Sequence, residues 1–242
     1  MSYAIMLTDN NRSRAYIQNL VRTGFVPKTA IVLGNNWDMK SKTELQIGKI
    51  PMIDEWFDCN ESVYETLLKA EIDYKTIDTK NPNEETVVKS ISEINEKSLI
   101  YSGPGGIILK EPILSQGVRF FHAHPGILPQ YKGSTTFYYS MILQQKIGCS
   151  VIEMALKLDS GDVVYEYEFV IQSEPHDYDQ VVDPLVRTHT LIEWLKSVDG
   201  KPTESKKRVQ NSDGNTFYII HPVLKHLAIL KTQNTGNGGS GE

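Results

Sequence analysis

Tyr3 to Gly34 reads YAIMLTDNNRSRAYIQNLVRTGFVPKTAIVLG, and this stretch decides the fold class. YAIML (Tyr3–Leu7) has the length and apolarity of a short buried strand. The polar turn TDNNRS follows. Ala15, Ile17, Leu20 and Val21 then recur at helical spacing as far as Gly24, a C-terminal stop. TAIVLG (Thr29–Gly34) is a second short, β-branched strand. Strand, helix and strand in that order predict a βαβ unit, hence a parallel sheet and an α/β protein.

The rest of the chain extends this pattern. Asn35–Asn60 is less regular and carries Trp37, Trp56 and Phe57; it reads as a long excursion, of the kind that is often functional. Glu61–Ala70 is helical in pattern, and YKTID (Tyr74–Asp78) is a weak strand. Asn83 is placed to cap a helix running to Glu96, with Val87, Ile91 and Ile94 on one face. SLIYSG (Ser98–Gly103) and GVRFFHAH (Gly117–His124) read as strands, and Ser134–Gln145 as a helix. Cys149–Leu158 and Asp162–Ile171 alternate around the turn DSG and predict a β-hairpin. Tyr178–Val198 is a long amphipathic helix. The terminal TGNGGSGE is Gly/Ser-rich and predicted flexible. No internal repeat occurs.

Composition narrows the function. The chain has 242 residues, 40% of them hydrophobic and 23% charged, with a net charge of -5. These values fit a soluble globular protein of one domain with at most a small appendage. The acidic balance and the lack of a long Lys/Arg run argue against a nucleic-acid partner. The two cysteines, Cys59 and Cys149, form no CxxC pair, so two reduced thiols in a cytoplasmic protein are expected. The N-terminus lacks the basic and apolar regions of a signal peptide, and no apolar run reaches membrane-spanning length.

FFHAHPGILPQYKG (Phe120–Gly133) carries two histidines one residue apart. On a strand, His122 and His124 project to the same side. They lie at the C-terminal edge, where open α/β sheets bind ligands. Three uses compete: a metal site, strand-end hydrogen bonding, and acid–base chemistry. A metal needs a third ligand, yet His176, His189, His221 and His226 are scattered without ligand spacing. Acid–base chemistry needs a carboxylate. LDSGDVVYE offers Asp159, 35 residues after His124, and Asp162. An Asp at a turn also serves simply to bind backbone N–H groups.

HPGILPQYKG followed by LDSGDVVYE resembles the 10-formyltetrahydrofolate-dependent formyltransferases. That family includes glycinamide ribonucleotide transformylases, methionyl-tRNA formyltransferases and sugar N-formyltransferases. Its signature is Asn-x-His, a Leu-Pro-x-aromatic-x-Gly run and an Asp-x-Gly turn. His124, Pro125, Leu128, Pro129, Tyr131, Gly133, Asp159 and Gly161 stand in those places. The likeness is clear from about Ser98 to Phe169 and loose before that. It implies a Rossmann-like, mostly parallel sheet flanked by helices, with a β-hairpin and a short C-terminal extension. The catalytic domain would be 1–198, the extension 199–231 and the tail 232–242.

The resemblance also implies a chemistry. His124 is the acid–base residue and Asp159 its partner. SGPGGIIL (Ser102–Leu109) resembles the segment that grips the pterin. Gly103, Pro104, Gly105, Gly106, Ile107, Ile108 and Leu109, with Asp162, are therefore expected to hold the donor, 10-formyltetrahydrofolate. No metal is implied. One position departs from the pattern: His122 stands where the family keeps an Asn that donates to the formyl oxygen. A neutral imidazole has one N–H, so a donor role is expected to survive there, although His titrates and Asn does not.

The acceptor is expected to be a small amine. About 44 residues follow Val198, fewer than a tRNA-binding barrel with its linker takes. DGNTFYIIHPVLKHLAIL resembles the short extension of sugar N-formyltransferases, which implies a nucleotide-linked amino sugar of dTDP type, and often a homodimer. Trp37, Tyr131, Lys132 and Arg187 are the expected acceptor contacts. Two alternatives stand beside this: a hydrolase that passes the formyl group to water, and a non-catalytic folate- or nucleotide-binding protein.

Overall fold

A computed structural model of the chain describes residues 2–34, 50, 52–170, 177–211 and 214–234, with side chains to 231. The opening unit is β1 (Ala4–Leu7), α1 (Asn11–Arg22) and β2 (Thr29–Leu33). Asn10 caps α1, accepting from the Ser13 amide at 3.0 Å. Along the chain follow α2 (Val63–Lys69), β3 (Asp73–Ile77), α3 (Glu85–Ser92), β4 (Ser98–Ser102), α4 (Glu111–Leu114) and β5 (Arg119–His124). After them come β6 (Tyr131–Gly133), α5 (Thr136–Gln144), β7 (Lys146–Glu153) and β8 (Val163–Val170). A wide turn at Tyr178–Val182 leads into α6 (Asp183–Ser197), and β9 (Asn215–Phe217) and α7 (Pro222–Asn234) close the described chain.

Seven strands form one sheet in the order β3-β2-β1-β4-β5-β7-β8. β1 to β5 are parallel; β7 runs antiparallel to β5, and β8 antiparallel to β7. This is a Rossmann-like, mostly parallel sheet flanked by helices. Pleat alternation divides the core between its two faces. Tyr3, Ile5 and Leu7 enter one apolar cluster, with α1, α5 and α6; Ala4 and Met6 enter the other, with α3 and α4. On β5, Phe121 and Ala123 belong to the first cluster and Phe120 to the second. His122 and His124 therefore share the Phe120 face. The strand order reverses between β1 and β4, so the crevice beside them is where such sheets place ligands.

The segment after residue 198 folds back onto this sheet layer. β9 pairs in parallel with β6, Tyr131 opposite Asn215 and Gly133 opposite Phe217, and α7 lies against α5. Gly133 permits the pairing: its φ is +103°, and a Cβ there would stand 2.0 Å from the Phe217 carbonyl oxygen.

Three expectations need correction. Asn83 does not cap α3, which is entered from Glu84 with no side-chain cap. The Asn83 amide instead donates to the Ile108 carbonyl (3.0 Å) and accepts from the Lys110 amide (2.7 Å), so a longer-range tie wins over the cap. The hairpin is not a tight turn at DSG. β7 runs from Lys146 to Glu153, the Met154 amide adds one more bond to β5 at the Phe120 carbonyl (2.7 Å), and β8 begins only at Val163, which leaves Met154–Asp162 as a long connection. The helix expected from Tyr178 begins as a wide turn, and its regular part starts at Asp183.

Candidate active site

The site grows from the end of β5. His124 is nearly fully buried, and its Nε2 lies 2.6 Å from the Tyr131 carbonyl oxygen. A carbonyl only accepts, so Nε2 carries the hydrogen. The other ring nitrogen, Nδ1, faces Asp159 Oδ1 at 3.4 Å; the two side chains are 3% and 8% exposed. Burial holds the His124 imidazolium below its ordinary range, against the upward pull of the Asp159 carboxylate.

Asp159 is held from three sides. Its Oδ2 accepts from the Gly133 amide at 2.8 Å. The amide group of Gln210, from the C-terminal extension, donates to the carbonyls of Asp159 (2.9 Å) and Gly161 (2.6 Å). Its backbone sits at φ +48°, a conformation that Asp tolerates better than most residues. Gly161 then packs so tightly that a Cβ would lie 1.7 Å from the Glu153 carbonyl oxygen. The Asp-x-Gly spacing thus has a steric cause as well as a chemical one.

His122 lies across the strand end. Its Nδ1 is 3.3 Å from the Tyr101 carbonyl oxygen, and its ring meets the Tyr101 ring edge-on at 6.1 Å. Burial, then Arg187, Arg12 and His124, all push its imidazolium well below the ordinary value, so this ring is neutral near pH 7.

Two arginines frame the histidines. Arg187 donates to both Asp183 oxygens (2.9 Å each) and to the Ala123 carbonyl (2.7 Å), gripping β5 between the two rings. Arg12, from the start of α1, donates to Ser102 Oγ (3.2 Å) and to the Gly103 carbonyl. These acceptors are neutral. Arg14, two residues on, has a buried carboxylate partner in Asp9 at 2.8 Å. Among the described residues no carboxylate lies within ion-pair distance of Arg12.

Cavities open on both sides of this strand end. One of about 40 Å³ is lined by Ile107, Ile108, Leu109, His122, Ile152 and Asp159, among others. It brings part of the expected donor-binding segment to His122 and Asp159. The Gly103–Gly106 turn leading to it is fixed by the Arg12 contact and by Tyr101, whose hydroxyl donates to the Pro104 carbonyl at 3.1 Å. The second, about 140 Å³, is lined by Pro125, Thr135, Phe137, Tyr138, Asp179, Asp183 and Arg187.

The remaining expected residues are dispersed. Tyr131 stacks its ring on Phe217 at 5.5 Å, and it is its backbone carbonyl that meets His124. Lys132 is partly exposed on β6. Asp162 accepts from the Glu153 amide through its backbone oxygen, and its carboxylate is 3.9 Å from Lys207 Nζ. Trp37 lies outside the described residues. Phe57 is core, whereas Trp56 is 54% exposed under the Arg22 guanidinium. Sequence reasoning missed Arg12, Asp183 and Gln210. The i, i+4 spacing of Asp183 and Arg187 was the available signal for that pair. Among the described residues no three His, Cys, Asp or Glu side chains are arranged to hold a metal ion. No helix of the described residues is long and apolar enough to cross a membrane.

This sheet order, with a buried His–Asp pair at the C-terminal edge, defines an α/β protein with a mostly parallel sheet and a candidate acid–base site at its switch point. A family profile described as formyl transferase matches residues 30–186, and the chain belongs to that family. A methionyl-tRNA formyltransferase of Clostridium botulinum (strain Alaska E43 / Type E3) is 25% identical over 152 residues, 62% of this chain and 48% of that protein. One of Protochlamydia amoebophila is 30% identical over 117 residues, 46% of this chain and 36% of that protein. The chain thus spans about half or less of the length of these curated relatives. Among solved structures, a sugar N-formyltransferase of Shewanella sp FDAARGOS_354 superposes with a TM-score of 0.60 at 16% identity, covering 96% of this chain and 88% of that one. A Helicobacter canadensis N-formyltransferase, solved with folinic acid and dTDP-3-aminofucose, gives 0.60 at 16% identity, with 96% and 81% covered. Glycinamide ribonucleotide transformylase 1 of Symbiobacterium toebii gives 0.57 at 13% identity, with 87% and 94% covered. At these identities the likeness is one of fold.

Proposed function

We propose that this chain transfers a formyl group from 10-formyltetrahydrofolate to the amino group of a small acceptor, a nucleotide-linked amino sugar of dTDP type. The observation that carries the reading is the His124–Asp159 pair beside a cavity whose wall includes Ile107, Ile108 and Leu109. At about 40 Å³ the cavity admits only the formyl-bearing end of the donor, with the rest of the molecule outside, and its apolar walls and convergent polar groups suit that end. The donor supplies the formyl carbon. Gly103–Leu109 hold it, His122 and His124 face the formyl group, and Asp159 draws a proton to His124 Nδ1. The 3.4 Å separation is long for a hydrogen bond, so that proton is only partly committed to Asp159. The positive charge that the ring gains in this way stabilises the negative charge that gathers on the formyl oxygen.

The acceptor enters from the other side, through the cavity walled by Pro125, Tyr138, Asp183 and Arg187. About 140 Å³ is below the usual ligand-pocket range of roughly 300–1,000 Å³, which favours one ring with the rest of the molecule outside. A second reading, with methionyl-tRNA as acceptor, rests on the names of the curated relatives.

The test is to supply 10-formyltetrahydrofolate with a panel of dTDP-amino sugars, simple amines and methionyl-tRNA, following tetrahydrofolate release and the formylated product. Release only with an amino sugar supports the proposal. Release only with charged tRNA supports the second reading. Release with water alone makes the protein a hydrolase. His124→Ala is expected to abolish turnover, and near-native activity in that variant would remove His124 from the chemistry.

A further inference from the structure

We propose that His122 is the proton acceptor for the attacking amine, replacing the family's Asn with a base and not with another donor. The inference rests on the transfer reading above. It follows from the direction of one hydrogen bond. The partner of His122 Nδ1 is the Tyr101 carbonyl oxygen at 3.3 Å, and a carbonyl has no hydrogen to give. Nδ1 therefore carries the ring's hydrogen. In a neutral ring Nε2 is then a bare lone pair. A carboxamide in this place offers an N–H to the formyl oxygen; this imidazole offers an electron pair.

The surroundings keep the ring in that form. Arg12 approaches from α1 and Arg187 from α6, both cationic; His124 is two residues away on β5; the Tyr101 ring packs from β4. Lys157 and Asp159 share the adjoining cavity. Two cations and burial outweigh one carboxylate that is already shared with His124 and Gly133. Among the described residues Nε2 has no hydrogen-bond partner, and the ring lines the cavity that reaches Asp159 and Leu109. The pair also differs in commitment: both His124 nitrogens face oxygen acceptors, while His122 keeps one nitrogen open.

The proton balance is then simple. The amine lone pair forms the new C–N bond, and the carbonyl pair moves onto the formyl oxygen. His122 Nε2 takes the proton that the amine nitrogen sheds. As the carbonyl reforms, the pair of the old C–N bond goes to N10 of the donor, and His122 hands its proton to that nitrogen. The products are the formamide and tetrahydrofolate, and His122 is again neutral. A ring whose cation is disfavoured suits a relay, because it releases the proton as readily as it took it.

Two measurements test this. In protein labelled with 15N at histidine, ring-nitrogen shifts distinguish protonated from bare nitrogens, with His122 assigned by its loss in His122→Asn. Near pH 7 the expected result is a neutral ring with a hydrogen on Nδ1 and none on Nε2; a hydrogen on Nε2 overturns the proposal whatever the activity. In kinetics, His122→Asn restores the family residue. It is expected to lower kcat about 100-fold or more, within the range of a lost general base, with the donor KM little changed. Its rate should also depend more steeply on the basicity of the acceptor. A variant as active as wild type across the pH range overturns the base role. A wild-type protein that transfers to no amine overturns the transfer reading, and the base role falls with it. A wild-type protein that transfers while Nε2 holds the hydrogen overturns the base role alone.

Discussion

Asp159 does two things with one carboxylate: Oδ1 faces His124 and Oδ2 accepts from the Gly133 amide. Asp159→Asn separates them. The Asn oxygen still satisfies Gly133, so the turn is retained, but a neutral amide no longer draws a proton to His124 Nδ1. The expected outcome is a loss in kcat of roughly 10²–10⁴-fold with little change in the unfolding midpoint. Near-native turnover would reduce Asp159 to a turn former. Arg12 gives a second prediction at this scale. Its charge depresses the His122 imidazolium, so Arg12→Gln relieves that depression and His122 takes up a proton at higher pH. The acid limb of the kcat/KM profile should therefore move upward in pH, and an unmoved limb would detach Arg12 from His122.

At the scale of elements, the site depends on ties between loops. Asn83 couples the segment before α3 to Ile108 and Lys110, beside the donor-side cavity. Asn83→Ala removes two partly exposed hydrogen bonds, worth about 0.5–1.5 kcal/mol each. It is expected to raise the donor KM several-fold while kcat at saturating donor holds. Equal loss in kcat would place the loop in the chemistry itself. Gly161→Ala should act differently, because its Cβ would collide with the Glu153 backbone, not with a side chain that can swing away. A destabilisation of about 1–3 kcal/mol in urea unfolding is expected, together with loss of activity. These contrasts show what was legible beforehand. The βαβ opening can be read because buried strands and an amphipathic helix impose their periods on the residues. His124 and Asp159 stand out through their motif. β6 and β9 are three residues each and carry no period to detect; their pairing is set by distant partners. Arg12 lies among polar turn residues, where nothing in its neighbourhood marks it as the one that reaches Ser102 and Gly103.

Over the whole molecule, burial at the C-terminal edge of the sheet disfavours the imidazolium forms of two histidines, and this gives the fold a pH dependence. The native imidazolium values of His122 and His124 lie below those of an unfolded chain, near 6.5. Below that pH the unfolded state binds more protons than the native state, so unfolding becomes easier as pH falls, by at most about 1.4 kcal/mol per pH unit for each histidine. Above pH 7 both states bind equally few and the dependence disappears. Burial raises the Glu55 and Glu153 carboxyls, but hydrogen bonds from His189 and from Arg119 and Lys207 respectively leave both lowered, so they add a further loss only at more acid pH, as they protonate. Urea midpoints measured at pH 7.5, 6.5 and 5.5 should thus fall slightly over the first step and more steeply over the second. In His122→Asn the fall should shrink, because one of the two proton-excluding sites is gone. A fall that His122→Asn leaves unchanged would mean that His122 accepts a proton in the folded protein as readily as in the unfolded chain, and that the charges around it do not keep it neutral.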